Sequence, residues 1–553
     1  MSKCGDWILK YSSLLLICFL LFCLCSCDVS EGESSTPSAV SSETTAISNN
    51  YVLGDFVYAI NSDGNAELTL YRGTDELIEI PTEIGGYLVN RIGEGCFKDC
   101  SSLKELRLIN EIRYVGEEAF KNCVNLETVT VGDKVTFLGK NAFENCVSLK
   151  DITLGSKLSS VRDGCFKNCT SLEKIVFPAS LSTFGNEIFA GAHNLTSIEI
   201  DQKNTQFKSE KGIMYNKEMT VLLVYPCGLT ESSYSLPLGV EEIGNGAFAH
   251  NLNLTSVNIP SSVRTIGNHA FESCDNLQTI ILPPSISSIG NSAFEGLVNL
   301  SELTLPSDIL TVGDFAFKDC ILLKELIFDE SLTLIGEGAF ENCSALTNIA
   351  LPESLTTIGK DAFENCISLT QINLPASVTE IGCGLFKGCV KLGTVTVNEE
   401  NESFVSVNNI IYNSEFSVII ASAPAIDDSV ILPETVVELG DFAFVDTLAS
   451  EIILNDGLVT IKSGAFQNAS VIKKISIPQS TVTVEDFAFS GSPSLTEISI
   501  PLNVSEIGED SFFNCNENLT LITSSGSYAA VFAVEHGLGL IVTPSALNSS
   551  QVE

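Results

Sequence analysis

Apolar and polar positions alternate along this chain on two scales. Over a few residues, phrases such as Leu369-Thr370-Gln371-Ile372-Asn373-Leu374 end on an apolar–polar–apolar beat, followed by Pro375. A period of two predicts a short strand with one face inward, and Pro, which has no amide hydrogen for a ladder, predicts its end. Over tens of residues the whole pattern recurs. A Phe falls at 97, 120, 143, 166 and 189, then at 248, 271, 294, 317, 340, 363 and 386, then at 444, 466, 489 and 512. Every step is 23 residues except one of 22 and two long ones of 59 and 58. A fixed period of this size predicts a solenoid of stacked coils, each too small to bury its own apolar face.

Each coil reads the same way. Leu172-Glu173-Lys174-Ile175-Val176-Phe177-Pro178 and Leu495-Thr496-Glu497-Ile498-Ser499-Ile500-Pro501 repeat the strand phrase. A second apolar run follows, as in Ser377-Val378-Thr379-Glu380-Ile381-Gly382. Gly closes that run in 13 of 16 copies, with Arg162, Lys462 and Glu485 in the others. This predicts a turn in which positive φ favours Gly. An Ala-Phe-x-Asn-Cys turn then completes the coil, with Phe as its largest buried group.

The phrase Ile335-Gly336-Glu337-Gly338-Ala339-Phe340-Glu341-Asn342-Cys343 and its copies resemble the repeats of BspA-like leucine-rich-repeat proteins, over about residues 51 to 542. The resemblance implies a β-rich leucine-rich-repeat solenoid with short strands and turns or short helices in each 23-residue coil. It implies a curved right-handed superhelix with N- and C-terminal caps. It further implies a bacterial cell-surface or secreted protein, and an adhesin for host matrix proteins, host cells or other bacteria.

The N-terminus adds an address. Lys3 and Lys10 precede an apolar run from Leu14 to Leu24, followed by Cys25-Ser26-Cys27. The run is too short for a spanning helix and reads as a signal peptide. Leu24, Ser26 and Cys27 look like a lipobox, so cleavage is expected before Cys27 and lipid on that residue. The expected organisation is a signal peptide over 1–26 and a Ser/Thr-rich tether over 27–50. A β cap follows over 51–90, and an array of about 16 repeats over 91–525. Hairpin insertions fall near 201–238 and 398–430, and a cap helix with a tail takes 526–553. The tether cannot bury a core.

Charge narrows the partners. The formal net charge is −40, and removing residues 1–26 with Lys3, Lys10 and Asp6 makes it −41. So acidic a chain repels nucleic acid. The acids are scattered through the turns as on a solvated face, and no Asp-x-Asp-x-Asp-Gly loop marks a calcium site. The protein is expected to be monomeric, to meet the membrane through its N-terminal lipid only, and to bind proteins.

Cysteine invites a disulfide or zinc reading that the spacing opposes. Ten cysteines occupy one repeat position: Cys100, Cys123, Cys146, Cys169, Cys274, Cys320, Cys343, Cys366, Cys389 and Cys515. Other copies hold Ala192, Asn251, Leu297, Thr447, Ala469 or Ser492 there. A disulfide partner could not be exchanged for Leu, whereas a small buried group could. One thiolate per coil in a row cannot make a tetrahedral site. The residue before is often Asn, as at Asn122, Asn145, Asn168, Asn342, Asn365, Asn468 and Asn514, and is expected to bond the backbone of the neighbouring coil.

Catalytic signatures are absent from the sequence. No Gly-x-Ser-x-Gly, His-Glu-x-x-His or phosphate loop occurs, and His193, His250, His269 and His536 show no metal spacing. No enzyme activity and no cofactor are expected. Two places could carry recognition. Phe207 to Tyr215 matches Phe404 to Tyr412 at an offset of 197, and both read as hairpins. The outward position of each strand reads Arg107, Thr130, Thr153, Val176, Glu199, Asn258, Ile281, Thr304, Ile327, Ala350, Asn373 and Thr396. From Ile281 to Thr396 this row is uncharged, and it is the candidate ligand face. The ordinary alternative is β-propensity, since Thr and Ile suit any strand. The competing function is a structural or envelope-assembly lipoprotein that binds the cell's own proteins or glycan.

Overall fold

The computed structural model describes residues 50–109, 111–426 and 429–543; the signal, Cys27 and nearly all of the tether fall outside them. These residues form a β-solenoid in which each coil contributes two short strands to two parallel ladders. The first ladder takes the Leu-x-x-Ile-x-Leu phrase, as in Thr128–Val131 and Gln371–Leu374. The second takes the run before the Gly, usually two residues long, as in Phe137–Leu138 and Thr265–Ile266. Register advances by one period per coil: Thr265 pairs with Glu242 on one side and Ser288 on the other. The rest of each coil is turn. Among the described residues the single α-helix is Tyr528–Glu535, whose Phe532 packs edge-on against Phe512. No helix among them is long and apolar enough to cross a membrane.

The Phe of each coil stacks on the next. Rings from Phe97 through Phe189 lie nearly parallel with centroids 5.0 to 5.7 Å apart. Phe248 through Phe363 and Phe444 through Phe512 repeat the arrangement. The separation follows from strand spacing, about 4.8 Å, which leaves rings offset rather than eclipsed. Beside this stack runs the cysteine row. Cys123 Sγ donates to the Phe97 carbonyl at 3.2 Å, and Cys343 to Phe317 at 3.2 Å. Where Ser492 replaces Cys, its hydroxyl makes the same bond to Phe466 at 3.2 Å. The position therefore takes a buried side chain, and where that is Cys or Ser its donor reaches the Phe carbonyl of the preceding coil. Burial pushes the thiols of Cys123, Cys227, Cys320 and Cys389 up to about 12.

Two expectations are corrected. The Gly that closes the second strand does not have positive φ. It is needed for close approach: a Cβ on Gly139 would lie 2.5 Å from the Gly116 carbonyl carbon, one coil away. Positive φ falls instead at two other turn positions, two residues before and two after the Phe. His269, Phe315, Asp361 and Phe442 occupy the former, Asn122, Asn168 and Asn365 the latter. The Asn side chains bond each other more than the backbone. Asn145 Nδ2 donates to Asn122 Oδ1 at 2.7 Å, and Asn168 to Asn145 at 2.9 Å. The left-handed backbone turns them along the stacking axis, where the nearest acceptor is the same amide one coil back.

Three antiparallel meanders interrupt the parallel order, and each begins a new sheet of the second ladder. They comprise Tyr51–Leu53, Phe56–Ile60 and Ala66–Tyr71; Phe207–Glu210, Ile213–Asn216 and Val221–Val224; and Phe404–Val407, Ile410–Asn413 and Val418–Ser422. Each has a register shift just before a Tyr, at Tyr58, Tyr215 and Tyr412. Each turn is tied by one Asn. Asn216 Oδ1 accepts from the amides of Thr220 and Val221, and Asn413 Oδ1 from those of Ser417 and Val418. An Asx bond of this kind replaces a backbone turn bond.

The buried apolar residues form two clusters, not one. The first runs from Tyr58 to Ile198 with Met214, and the second from Ile213 to Ala533. The middle meander is the wall between them. Met214, Leu223 and Val224 face the first cluster, while Ile213, Tyr215, Leu222 and Tyr225 belong to the second.

Candidate functional site

The outward row of the first ladder is built by strand alternation. In each strand the residues on either side of an exposed centre point inward and are buried, as Ile372 and Leu374 are around Asn373. Register places the predicted residues side by side. Asn258 pairs with Ile281, Thr304 with Ile327, and Asn373 with Thr396. The bridge from Asn348 to Gln371 keeps Ala350 in the same row. Ile281 is 76% exposed and Ile327 54%, and Thr304, Ala350, Asn373 and Thr396 are also exposed. Thr396 Oγ1 donates to Asn373 Oδ1 at 2.9 Å, so that end of the row is satisfied within itself.

The structure alters the picture in two respects. Ile281 and Ile327 are separated by Thr304, and a second outward row runs alongside with Glu302 directly paired to Glu325. The face is therefore apolar points in an acidic frame, not a continuous apolar strip. A further outward row of the same kind lies beyond the second meander, past the end of the predicted row at Thr396. Ile431 and Ile453 pair directly and are 72% and 45% exposed, then Ser476 pairs with Ser499. The break of 58 residues hid this row; the strand phrase Glu451-Ile452-Ile453-Leu454 was the signal that could have found it.

The N-terminal part of the same face is different in kind. Arg107 lies 2.6 Å from Glu105, and Lys174 lies 2.6 Å from Glu199. These exposed pairs satisfy each other and offer little net attraction to a partner. A shallow groove lined by Thr153, Val176, Phe177, Glu199 and Asp201 opens beside them, where the first insert leaves the ladder.

Comparison with known families decides the fold family. The model of the BspA type Leucine rich repeat region matches residues 90–215, 241–366, 288–415 and 426–531. The chain belongs to this family. No curated protein matches it. Among solved structures, it is similar to a leucine-rich repeat protein from Eubacterium ventriosum ATCC 27560, at 26% identity and a TM-score of 0.47, covering 61% of this chain and 93% of that one. A leucine rich cell surface protein from Faecalibacterium prausnitzii A2-165 is 23% identical, with 64% and 96% covered and a TM-score of 0.40. A leucine-rich repeat protein from Bacteroides ovatus ATCC 8483 is 21% identical, with 86% and 99% covered and a TM-score of 0.38.

Proposed function

We propose that this BspA-type chain is a surface-displayed protein-binding module, an adhesin, held to a membrane through lipid at Cys27. The observation that supports it most is the outward row itself. Ile281 and Ile327 on one side of the second insert, and the directly paired Ile431 and Ile453 on the other, stand exposed at the same outward strand position on a protein of net charge −40. Acidic neighbours such as Glu302, Glu325 and Glu451 keep the bare face soluble, and the isoleucines offer points for apolar contact. A partner that fits presents apolar side chains flanked by basic ones, on a host matrix or cell-surface protein. The reading assigns no catalysis and no cofactor to the chain.

Three experiments test it. Ile281→Glu with Ile327→Glu, and separately Ile431→Glu with Ile453→Glu, should reduce binding of the displayed protein to immobilised matrix proteins at least tenfold. The thermal midpoint should stay within about 2 °C, because outward positions carry no core packing. Normal binding by both double variants removes this face. Cys27→Ser should release the chain from membranes or leave it as precursor. A mature-sized mutant that still sediments with membranes overturns the anchor. Protease shaving of intact cells distinguishes outward display from an envelope-assembly role, in which the chain would be protected.

A further inference from the structure

The break in the core coincides with an unusual gathering of titratable side chains. The turn position two residues before every repeat Phe except Phe512 has a left-handed backbone, and at the first insert it holds Glu187, Gly246 and His269 in three successive coils, with φ of 50, 64 and 56°. Gly246 is the key to their meeting. A Cβ there would lie 2.9 Å from Glu187 Cγ, so the Glu187 side chain passes over the bare glycine toward the next coil. It reaches His269, where Oε1 is 3.9 Å from Nε2. On the other side of the ring, Nδ1 is 2.8 Å from Glu272 Oε2. One imidazole nitrogen and one oxygen from each carboxylate all lie within 4.8 Å of one another, and all three residues are partly open to solvent.

The surroundings are mixed. Lys167 Nζ is 2.9 Å from Glu187 Oε2, leaving Oε1 as the free oxygen. His250 donates its backbone amide to the Glu272 carbonyl at 2.7 Å. Two of the chain's four histidines, His250 and His269, belong to this one locality. Glu187 and Lys167 come from the N-terminal side of the core break, and His250, His269 and Glu272 from the C-terminal side. A narrow cleft lined by Glu187, Phe189, Tyr225, Cys227, Gly246 and Ala249 runs along the same junction.

The fold does not require these groups. At the second insert the corresponding positions are Gly384 for Glu187, Phe442 for Gly246, Gly464 for His269 and Gln467 for Glu272. There the core is continuous, and among the described residues no such group of donors converges.

We infer that Glu187, His269 and Glu272 form a binding site for a zinc-like divalent cation that clasps the two parts of the solenoid across the break in its core. One imidazole nitrogen with two carboxylate oxygens suits a borderline ion better than calcium, which takes six to eight oxygens. Ligands of a tetrahedral zinc with bonds of about 2.0–2.2 Å stand about 3.4 Å apart, so the donors, which lie within 4.8 Å of one another, must close by roughly an ångström, with one carboxylate moving round to the ring nitrogen that binds. The ion replaces the hydrogen bond between His269 and Glu272, and water completes its shell.

The test is titration of the full chain with Zn²⁺ by calorimetry, beside Glu187→Gln and His269→Asn; Asn tolerates the left-handed backbone. The wild type should bind one Zn²⁺ reversibly, and each variant should bind at least tenfold more weakly. Zn²⁺ should also slow proteolysis within residues 201–238 in the wild type only. Circular dichroism and thermal unfolding without metal should match across the three proteins. Failure of the wild type to bind Zn²⁺, undiminished binding in both variants, or equal displacement by Ca²⁺ overturns the site. Binding without any change in proteolysis overturns the clasp.

Discussion

Tyr225 in the first insert and Ser422 in the second occupy the same place in the same meander, one residue past the pairings of Met214 with Val224 and Ile411 with Ala421. The Tyr225 ring packs 5.2 Å from Phe248 and starts a new aromatic stack, as Tyr71 does against Phe97 at 5.1 Å near the N-terminus. The first insert thus restarts the solenoid, and its sheet divides the core. Ser422, with Ala421 and Ala423 beside it, fills far less space, and the buried cluster runs straight through. The two meanders share a backbone, yet the buried core breaks at the first and runs through the second. Only the partition carries the Glu187, His269 and Glu272 group.

That contrast can be attacked from several directions. The largest effect is expected from alkaline pH, because the thiol row runs through both parts. The thiols of Cys123, Cys320 and Cys389 are pushed up to about 12 by burial, against an ordinary 9.0 in the unfolded chain. A raised native value gives stability that is complete below pH 9 and lost as pH climbs toward 12. Each such thiol should cost on the order of 2–3 kcal/mol at pH 11. Thermal unfolding followed from pH 8 to 11 should fall for both parts, with reductant making no difference at pH 8. A chain indifferent to pH up to 11, or stabilised by omitting reductant, would mean the sulfurs are not buried thiols.

Next comes the separateness of the two cores. Phe143→Ala and Phe317→Ala should each cost about 3–5 kcal/mol in their own part. Calorimetry should show two transitions, with Phe143→Ala lowering one and Phe317→Ala the other. If both variants move a single shared transition, the middle meander does not divide the protein. The smallest effects separate the two inserts themselves. Tyr225→Ser should cost about 3 kcal/mol by unstacking the ring that begins the second core. Ser422→Ala should be neutral or stabilising by up to about 1 kcal/mol, since the buried Ser422 hydroxyl finds no partner among the described residues. Equal costs at the two sites would break the comparison, and denaturant midpoints measure both.

Much of this was legible in the chain because stacking repeats a local pattern. The Phe step announced the coils, the alternation around Ile372 announced the strand and its outward centre, and exchange of Cys343-type residues for Ser492 or Ala469 announced a buried row. The failures are instructive. Gly139 and its equivalents were read as turn residues because Gly suits positive φ, whereas the backbone of the coil one period back is what excludes a side chain. The Asn row was assigned to backbone acceptors, since neither its left-handed conformation nor the alignment of amides along the stack can be seen from one coil. Glu187 and His269 showed no spacing worth reading, being 82 residues apart in sequence with an insert between them.

The amino-acid sequence by itself determined the period, the two strands per coil, the identity of the buried ladder and the acidic surface, because each depends on residues within one coil or its copy. Tertiary structure alone decided where the solenoid is partitioned, which outward residues become direct neighbours, and which charged groups meet. Those outcomes depend on coils that are neighbours in space after a detour of 58 or 59 residues, and on whether the glycine lying between them, as Gly246 does, leaves room for one side chain to reach another.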